Sequence, residues 1–499
     1  MIHFKKIAAL IAASLPVLAA HSQDVTYWKV NGNSGTSPAD HFLGTSDDQD
    51  LIFKRNGVRA GWLNTSLYST SFGVSALNAG TTGYANTAIG HFALFANMSG
   101  SYNVGIGTNA LYSNATGSSN VALGQSALYY NTSGSGNTAI GYNALTGNAT
   151  GSRNIALGYY ALSENTTGSD NIALGSSSLT KNTGGGNNLA FGGNALRYNT
   201  TGHSNIGLGQ SALYSNMTGN DNVALGAGAL YANTIGNRNL AFGTSALYAN
   251  TEGSLNVAFG GWALWSNKLG SANFAFGENA LFSNTNGSSN LAFGINSLKL
   301  NTTGTANLGI GENALLSNTV GSANIAIGTS SGSAITTGSN NIAIGINAQV
   351  AAAAGSNQLS IGNLIYATEV NGSGSVVSTG NVGIGTMSPS DKLSVNGAVR
   401  CKKILVNHSG WADYVFDSTY KLPELISLEQ YIKKYKHLPG IPSAAEVADK
   451  GIDVAENQVM LLKKIEELTL YVIGQNKKLE SVVSDNEELK KKLRQLMNK

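Results

Sequence analysis

Asn120-Val121-Ala122-Leu123-Gly124-Gln125-Ser126-Ala127-Leu128-Tyr129-Tyr130-Asn131-Thr132-Ser133-Gly134-Ser135-Gly136 decides the fold, because Asn137-Thr138-Ala139-Ile140-Gly141 then starts the same pattern again. Working outward in both directions, the opening Asn recurs at this same spacing from Asn86 to Asn341 without one insertion. Gly follows it by four residues, a second Asn by eleven and a second Gly by fourteen, and a degenerate copy carries the array up to about residue 69. A fixed period of this length is the signature of a stacked repeat architecture.

Within a unit, Val121 and Leu123 fall on one face of a short strand, and Ala122 and Gly124 on the other. Ala127-Leu128 is expected to form one helical or 3₁₀ turn, and Ser/Thr-Gly supplies the return. So short a unit cannot fold alone, but stacking lets backbone groups pair from coil to coil around a continuous core. The fold expected is a parallel β-solenoid or β-roll. Strict register follows, since one inserted residue would turn every strand side chain to the opposite face. Asn103, Asn120 and Asn154 are expected to stack into amide ladders, with Gly107, Gly124 and Gly158 at the tight positions that follow them. No Pro interrupts the chain between Pro38 and Pro389, as coils that need every N–H require. At about 4.8 Å per coil, some 17 coils make a shaft of roughly 80 Å. Large apolar residues on one strand face and Ala on the other leave a second apolar face to cover. Either the turn segment of the same coil or a neighbouring subunit would cover it.

Composition agrees with an elongated repeat. Gly is 62 of 499 residues, charged residues are 11% and apolar residues 42%, so the chain can bury a core built from small residues and Asn. Lys5 and Lys6 followed by the apolar run Ile7 to Ala20 read as a secretory signal over residues 1–22, cleaved after Ser22 or after Ala20. That run falls short of the roughly 20 residues a bilayer span needs. Taking the two lysines from the net charge of +3 leaves +1, which removes any electrostatic case for nucleic acid. Cys401 is the single cysteine, so no disulfide framework forms within one chain.

The array offers little chemistry. Its Gly residues lack the Lys-Ser/Thr ending of a phosphate loop. Its acids, Glu164, Asp170, Asp221, Glu252, Glu278 and Glu312, fall at scattered repeat positions, so no calcium cage recurs. The histidines do not cluster, so no metal site, cofactor or catalytic constellation is expected. Thr166, Thr183 and Thr200 share one repeat position, a file that could face ice, but Met217 and Lys268 interrupt it. Phe95, Tyr112, Tyr129, Tyr214, Tyr231, Tyr248, Trp265 and Phe282 share another, suited to packing between subunits or to a sugar. The sequons at Asn97, Asn114 and Asn131 are generated by the repeat itself.

After Gly345 the array decays. Expected organisation is a signal at 1–22, an N-terminal β module at 23–68, the array at 69–357, a β connector at 358–406, a small α+β module at 407–457 and a coiled coil at 458–499. In the last segment Ile465, Val472, Leu479, Asn486 and Leu493 take heptad position a, and Leu461, Leu468, Gln475, Val482, Leu489 and Leu496 take d. Asn486 and Gln475 are the polar core positions that set register and oligomer state, and these heptads alone do not choose between two and three strands. A DNA-binding zipper is excluded by the acidic stretch before the heptads, with Glu446, Asp449, Asp453 and Glu456 against Lys450.

Three pieces resemble known patterns. The Asn-Val-Ala-Leu-Gly coils resemble the β-roll head repeats of trimeric autotransporter adhesins, whose unit is shorter. Trp28-Lys29-Val30-Asn31-Gly32-Asn33, with Gly44-Thr45 and Asp50-Leu51-Ile52-Phe53, is similar to the N-terminal module of secreted tail-fibre-like proteins of Bacteroidetes-type bacteria. Gly383-Ile384-Gly385-Thr386, Ser388-Pro389, Lys392 to Gly397, and His437 to Ser443 before the coiled coil resemble their C-terminal module. This resemblance implies a homotrimeric fibre whose tail is related to the endosialidase-type intramolecular chaperone. That family cleaves itself with a Ser-Lys pair; here Ser409 is followed by Gly410-Trp411-Ala412-Asp413 without a Lys, so no self-cleavage is expected. The chain ends in the coiled coil without a membrane-anchor barrel, so no membrane insertion after signal cleavage is expected.

The expectation is therefore a non-enzymatic, secreted or surface-attached fibre, an adhesin or structural spacer. Its partner is itself, with a surface glycan or protein as possible ligand and no nucleic acid. A self-cleaving tail-fibre relative and an ice-binding solenoid are the alternatives.

Overall fold

A computed structural model describes residues 43–407 and 410–498. The expected signal segment, the Trp28 to Asn33 motif and Ser409 lie outside the described residues. Two compact units divide at Gly397/Ala398.

The first unit is a parallel β-solenoid of about 17 turns, one 17-residue coil per turn. Each coil contributes a three-residue strand, from β4 (Thr87–Ile89) through β6 (Val121–Leu123) and β7 (Thr138–Ile140) to β20 (Leu359–Ile361). Residues one period apart pair directly, as Val121 with Thr138, Ala122 with Ala139 and Leu123 with Ile140. The strand stops there because Gly124, at φ 136°, turns the chain away. A Cβ at Gly124 would stand 2.5 Å from the carbonyl oxygen of Gly141, which only Gly avoids.

The expected helical turn at Ala127-Leu128 does not form. Leu128 is left-handed at φ 54° and Ser126 at φ 57°, and the leucines of the other regular coils repeat this. Backbone pairing explains the difference: Leu128 N–H donates to Ala144 O of the next coil at 3.0 Å, and Ser126 N–H to Thr108 O of the coil before at 3.0 Å. A helix would turn those bonds inward and leave the neighbours unpaired. Left-handed Leu costs roughly 1–2 kcal/mol, and full burial of its side chain offsets that with about 1.5–3 kcal/mol.

Inside the coil sit Asn120, Ala122, Ala127, Leu128 and Asn131, all fully buried. The small strand face therefore points inward, covered by the turn leucine of the same coil, and the large face points out.

Antiparallel strands close both ends of the sheet. β1 (Leu51–Arg55) and β2 (Val58–Asn64) form a hairpin whose turn, Asn56-Gly57, has positive φ at both residues. β2 then pairs antiparallel with β3 (Ser69–Phe72), which opens the parallel run. At the far end β21 (Ile365–Ala367) runs antiparallel to β20 and to β22 (Val382–Ile384), and β23 (Leu393–Val395) pairs parallel with β22.

The second unit has a 3₁₀ turn at Ala412–Phe416, then α1 (Leu425–Tyr435), α2 (Ala444–Lys450) and α3 (Val454–Met497). The module expected to mix helix and strand has its helices and, among the described residues, no strand. A capping box starts α2: Ser443 Oγ accepts from Glu446 N–H at 3.3 Å while Glu446 Oε2 accepts from Ser443 N–H at 2.8 Å. The Ser443 N–H and the Ser443 hydroxyl, both donating to Glu446 Oε2, hold that carboxyl below its ordinary value. Asp453 caps α3, accepting from Glu456 N–H at 2.9 Å. With 44 residues α3 is about 66 Å long.

Candidate assembly and ligand faces

Two amide ladders run through the solenoid. Asn120 donates from its backbone N–H and its Nδ2 to Asn103 Oδ1 at 3.0 and 3.1 Å, and Asn154 repeats this on Asn137 at 2.9 and 3.2 Å. In the second ladder Asn131 Nδ2 donates to Asn114 Oδ1 at 2.7 Å. Both ladders meet at one carbonyl: Gly134 O accepts from Asn120 Nδ2 and Asn131 Nδ2, each at 2.9 Å. The amides all point the same way along the array, so each bond polarises the next.

Such a chain needs different residues at its ends. Ser69 Oγ accepts from Asn86 N–H at 3.1 Å and Thr81 Oγ1 from Asn97 Nδ2 at 3.0 Å, in place of a preceding Asn. Gln358 takes over at the far end, its N–H donating to Asn341 Oδ1 at 3.0 Å. Ala76 O has no preceding coil to donate to it, and Arg59 of β2 reaches across to supply Nη2 at 3.2 Å. The same guanidinium bonds Leu77 O and lies 4.4 Å above the Trp62 ring. Nothing in the repeat pattern pointed to these caps, since each is a single departure from it.

Outside, the first and third residues of every strand form two apolar columns. From Ile89 to Ile361 the third residue is always Ile, Leu or Phe, and the first is apolar except at Thr87 and Thr138. None of these residues is buried. Phe242, Phe259, Phe276 and Phe293 stack within the third column at 4.5, 5.1 and 4.5 Å between ring centroids.

The aromatic file is also stacked. Tyr112 and Tyr129 lie 4.9 Å apart and within 2° of parallel, and Tyr214, Tyr231 and Tyr248 continue at 4.8 and 4.9 Å. Ring faces therefore cover each other and only edges meet solvent, which weighs against a sugar lying on them. Thr166, Thr183 and Thr200 donate their hydroxyls to the next coil's carbonyls at 2.8, 3.1 and 2.8 Å, so that file is spent on the shaft itself. Asn97, Asn114 and Asn131 are fully buried, which puts the sequons out of reach in the folded chain. Charges cancel from coil to coil: Arg153 grips Asp170 at 2.6 Å and holds its carboxyl below the ordinary range, Lys181 pairs with Glu164, and Arg238 lies 3.8 Å from Asp221. Among the described residues no group of three or more His, Cys, Asp or Glu could hold a metal, and no helix is long and apolar enough to cross a membrane.

On α3 the side away from the heptad seam is occupied. The 3₁₀ turn buries Ala412 and Val415 against it, and Glu466 and Glu467 are buried there too. Burial pushes the Glu467 carboxyl up, but hydrogen bonds from Lys464 at 2.8 Å and from Tyr420 outweigh it and hold it below its ordinary value. Burial and Glu467 push the Tyr420 hydroxyl up. The seam itself is bare: Leu461, Ile465, Leu468, Val472, Gln475, Leu479, Val482, Asn486, Leu489, Leu493 and Leu496 are none of them buried. The chain matches no known protein family, no curated protein and no solved structure.

Proposed function

We propose that the protein is a secreted or surface-attached homotrimeric fibre, acting as an adhesin or a structural spacer without enzymatic activity. One observation carries the reading: an apolar double column runs unburied along every strand from β4 to β20. Two unburied positions on each of 17 strands, apolar but for Thr87 and Thr138, form one continuous surface along the array, of the kind a permanent interface covers. Monomers rarely expose an apolar patch larger than about 600 Å². Identical chains in parallel register would cover it level by level, because the columns repeat with the coil. The bare heptad seam on α3 supports the same parallel association. Three chains rather than two rests on the resemblance of the coils to trimeric adhesin heads. Variable repeat positions outside the columns would then face a surface glycan or protein.

Multi-angle light scattering on the full chain tests this. Three chains per particle are expected, with loss of that mass on removal of residues 458–499. A monomer at micromolar concentration would sink the reading, since an apolar surface of interface size would then stand open with no partner.

A further inference from the structure

α1 has an apolar stripe and nothing to bury it. Leu425, Leu428, Ile432 and Tyr435 recur at helical spacing, yet no residue of α1 is buried. The helix is nevertheless held in place. Tyr420 donates to Glu467, Glu467 also takes Lys464, and Tyr471 donates to Pro423 O two residues before α1 begins. These bonds tie the chain leading into α1 to heptad positions c and g of α3, so α1 stands beside the seam rather than behind it.

Between them lies an apolar groove of about 350 Å³. Its floor is Leu461, Ile465, Leu468 and Val472 of the seam, and its wall is Leu425, Leu428 and Leu438. The floor runs from Leu461 to Gln475, about 21 Å, and the wall against it is built from the first turn of α1 together with Leu438. The floor repeats as a heptad, and a heptad surface is complementary to another helix of the same pattern, whose knobs enter its holes. Leu462, next to the seam at position e, would turn toward that wall from a neighbouring α3 in parallel register.

We infer that a second copy of α3 seats in this groove, so that α1 and Leu438 of one chain clamp the helix of the next. The first two heptads are then a composite interface, with helix seam below and α1 at the side, while the stretch after Gln475 is a plain zipper. Polar Gln475 and Asn486 break that zipper into short apolar blocks, and the clamp adds burial where the seam alone is short. This rests on the self-association proposed above.

Sedimentation velocity on the full chain across a concentration series tests it. Leu425→Asp/Leu428→Asp, and separately Leu438→Asp, which lies outside any helix, are expected to weaken association at least tenfold. Ile426→Asp, on the opposite and 70% exposed side of α1, is expected to leave it unchanged. Unchanged association for both wall variants, in a wild type that assembles, overturns the clamp and leaves the fibre standing. An equal loss from Ile426→Asp overturns it too, because the effect would then be charge and not the wall. A monomeric wild type overturns the fibre and the clamp together.

Discussion

The shaft fills its own interior and the helical unit does not. Every regular coil buries two Asn, one Leu and small residues from its own positions, while among the described residues after Gly397 only Ala412 and Val415 are buried apolar side chains. Each coil needs only its sequence neighbours, so its closure is nearly independent of concentration. The helical unit keeps its apolar residues outside, so under the proposed self-association its stability would follow the concentration of other copies. One chain thus joins a shaft whose inside is complete to a helical unit whose apolar seam is left uncovered.

The sharpest way to break that contrast is to damage the shaft from within. Gly134→Ala would place a Cβ 2.3 Å from Gly151 O and 2.5 Å from Asn131 Oδ1, where backbone cannot yield and both ladders meet. A loss of about 4 kcal/mol is expected, overpacking plus a severed buried amide bond. Because coils couple only to neighbours, urea unfolding should split into two phases, one for each side of the lesion. Gly261→Ala, with open space around the added carbon, should change stability by no more than about 0.5 kcal/mol. A single unsplit transition for Gly134→Ala would mean that the shaft unfolds as one body.

Arg59→Met tests the end rather than the middle. It keeps the aliphatic stem over Trp62 and removes the donor that Ala76 O receives in place of a preceding coil. A cost of about 1–2 kcal/mol is expected, confined to the first coils. Amide exchange should speed up over residues 69–102 and stay unchanged beyond 120. Faster exchange along the whole shaft would deny the cap its local role.

Much of this was legible in the residues. A period without insertions specifies in-register stacking, and Asn at two fixed places brings each buried amide against its own copy one coil away. The heptads from Leu461 to Leu496 specify one long helix in the same way. Ala127-Leu128 misled because helix propensity is a local quantity, and the N–H of Leu128 is claimed by Ala144 one coil away. The face of the strand that enters the coil was ambiguous, because both faces are apolar. The interior admits only Ala122 beside two Asn and a Leu, which sends Val121 and Leu123 outside. The caps were hidden for the opposite reason: Arg59, Ser69, Thr81 and Gln358 are meaningful only once the ends of the stack are known. The sequence placed residues 425–435 only within a small α+β module, and the apolar stripe of α1 stood out once the helix was seen to bury none of its residues.

Acid offers the mildest test of the contrast, and it separates the two regions by their chemistry. The shaft's buried polar side chains are Asn, Gln, Ser and Thr, none of which titrates, and its lowered carboxyls, Asp50 and Asp170, lose their contribution only below 3.8, so its melting should be flat from neutral pH down to about 4. The helical unit depends on Glu467, whose carboxyl is held below its ordinary 4.5 by Lys464 and Tyr420 against the pull of burial. A carboxyl lowered in the folded state binds its proton more readily when unfolded. Its contribution is therefore complete above 4.5 and fades as pH falls below that value through the folded one. The link from Tyr420 to α3 should loosen in that window, seen as faster amide exchange over residues 412–424 while the coils of the shaft hold. Tyr420→Phe should reduce the pH dependence, since it removes one of the bonds that lowers the carboxyl. If the shaft and the 412–424 segment instead lost protection together, closure of the coils would depend on ionised groups after all, and the division into a self-filled shaft and an open helical unit would fail.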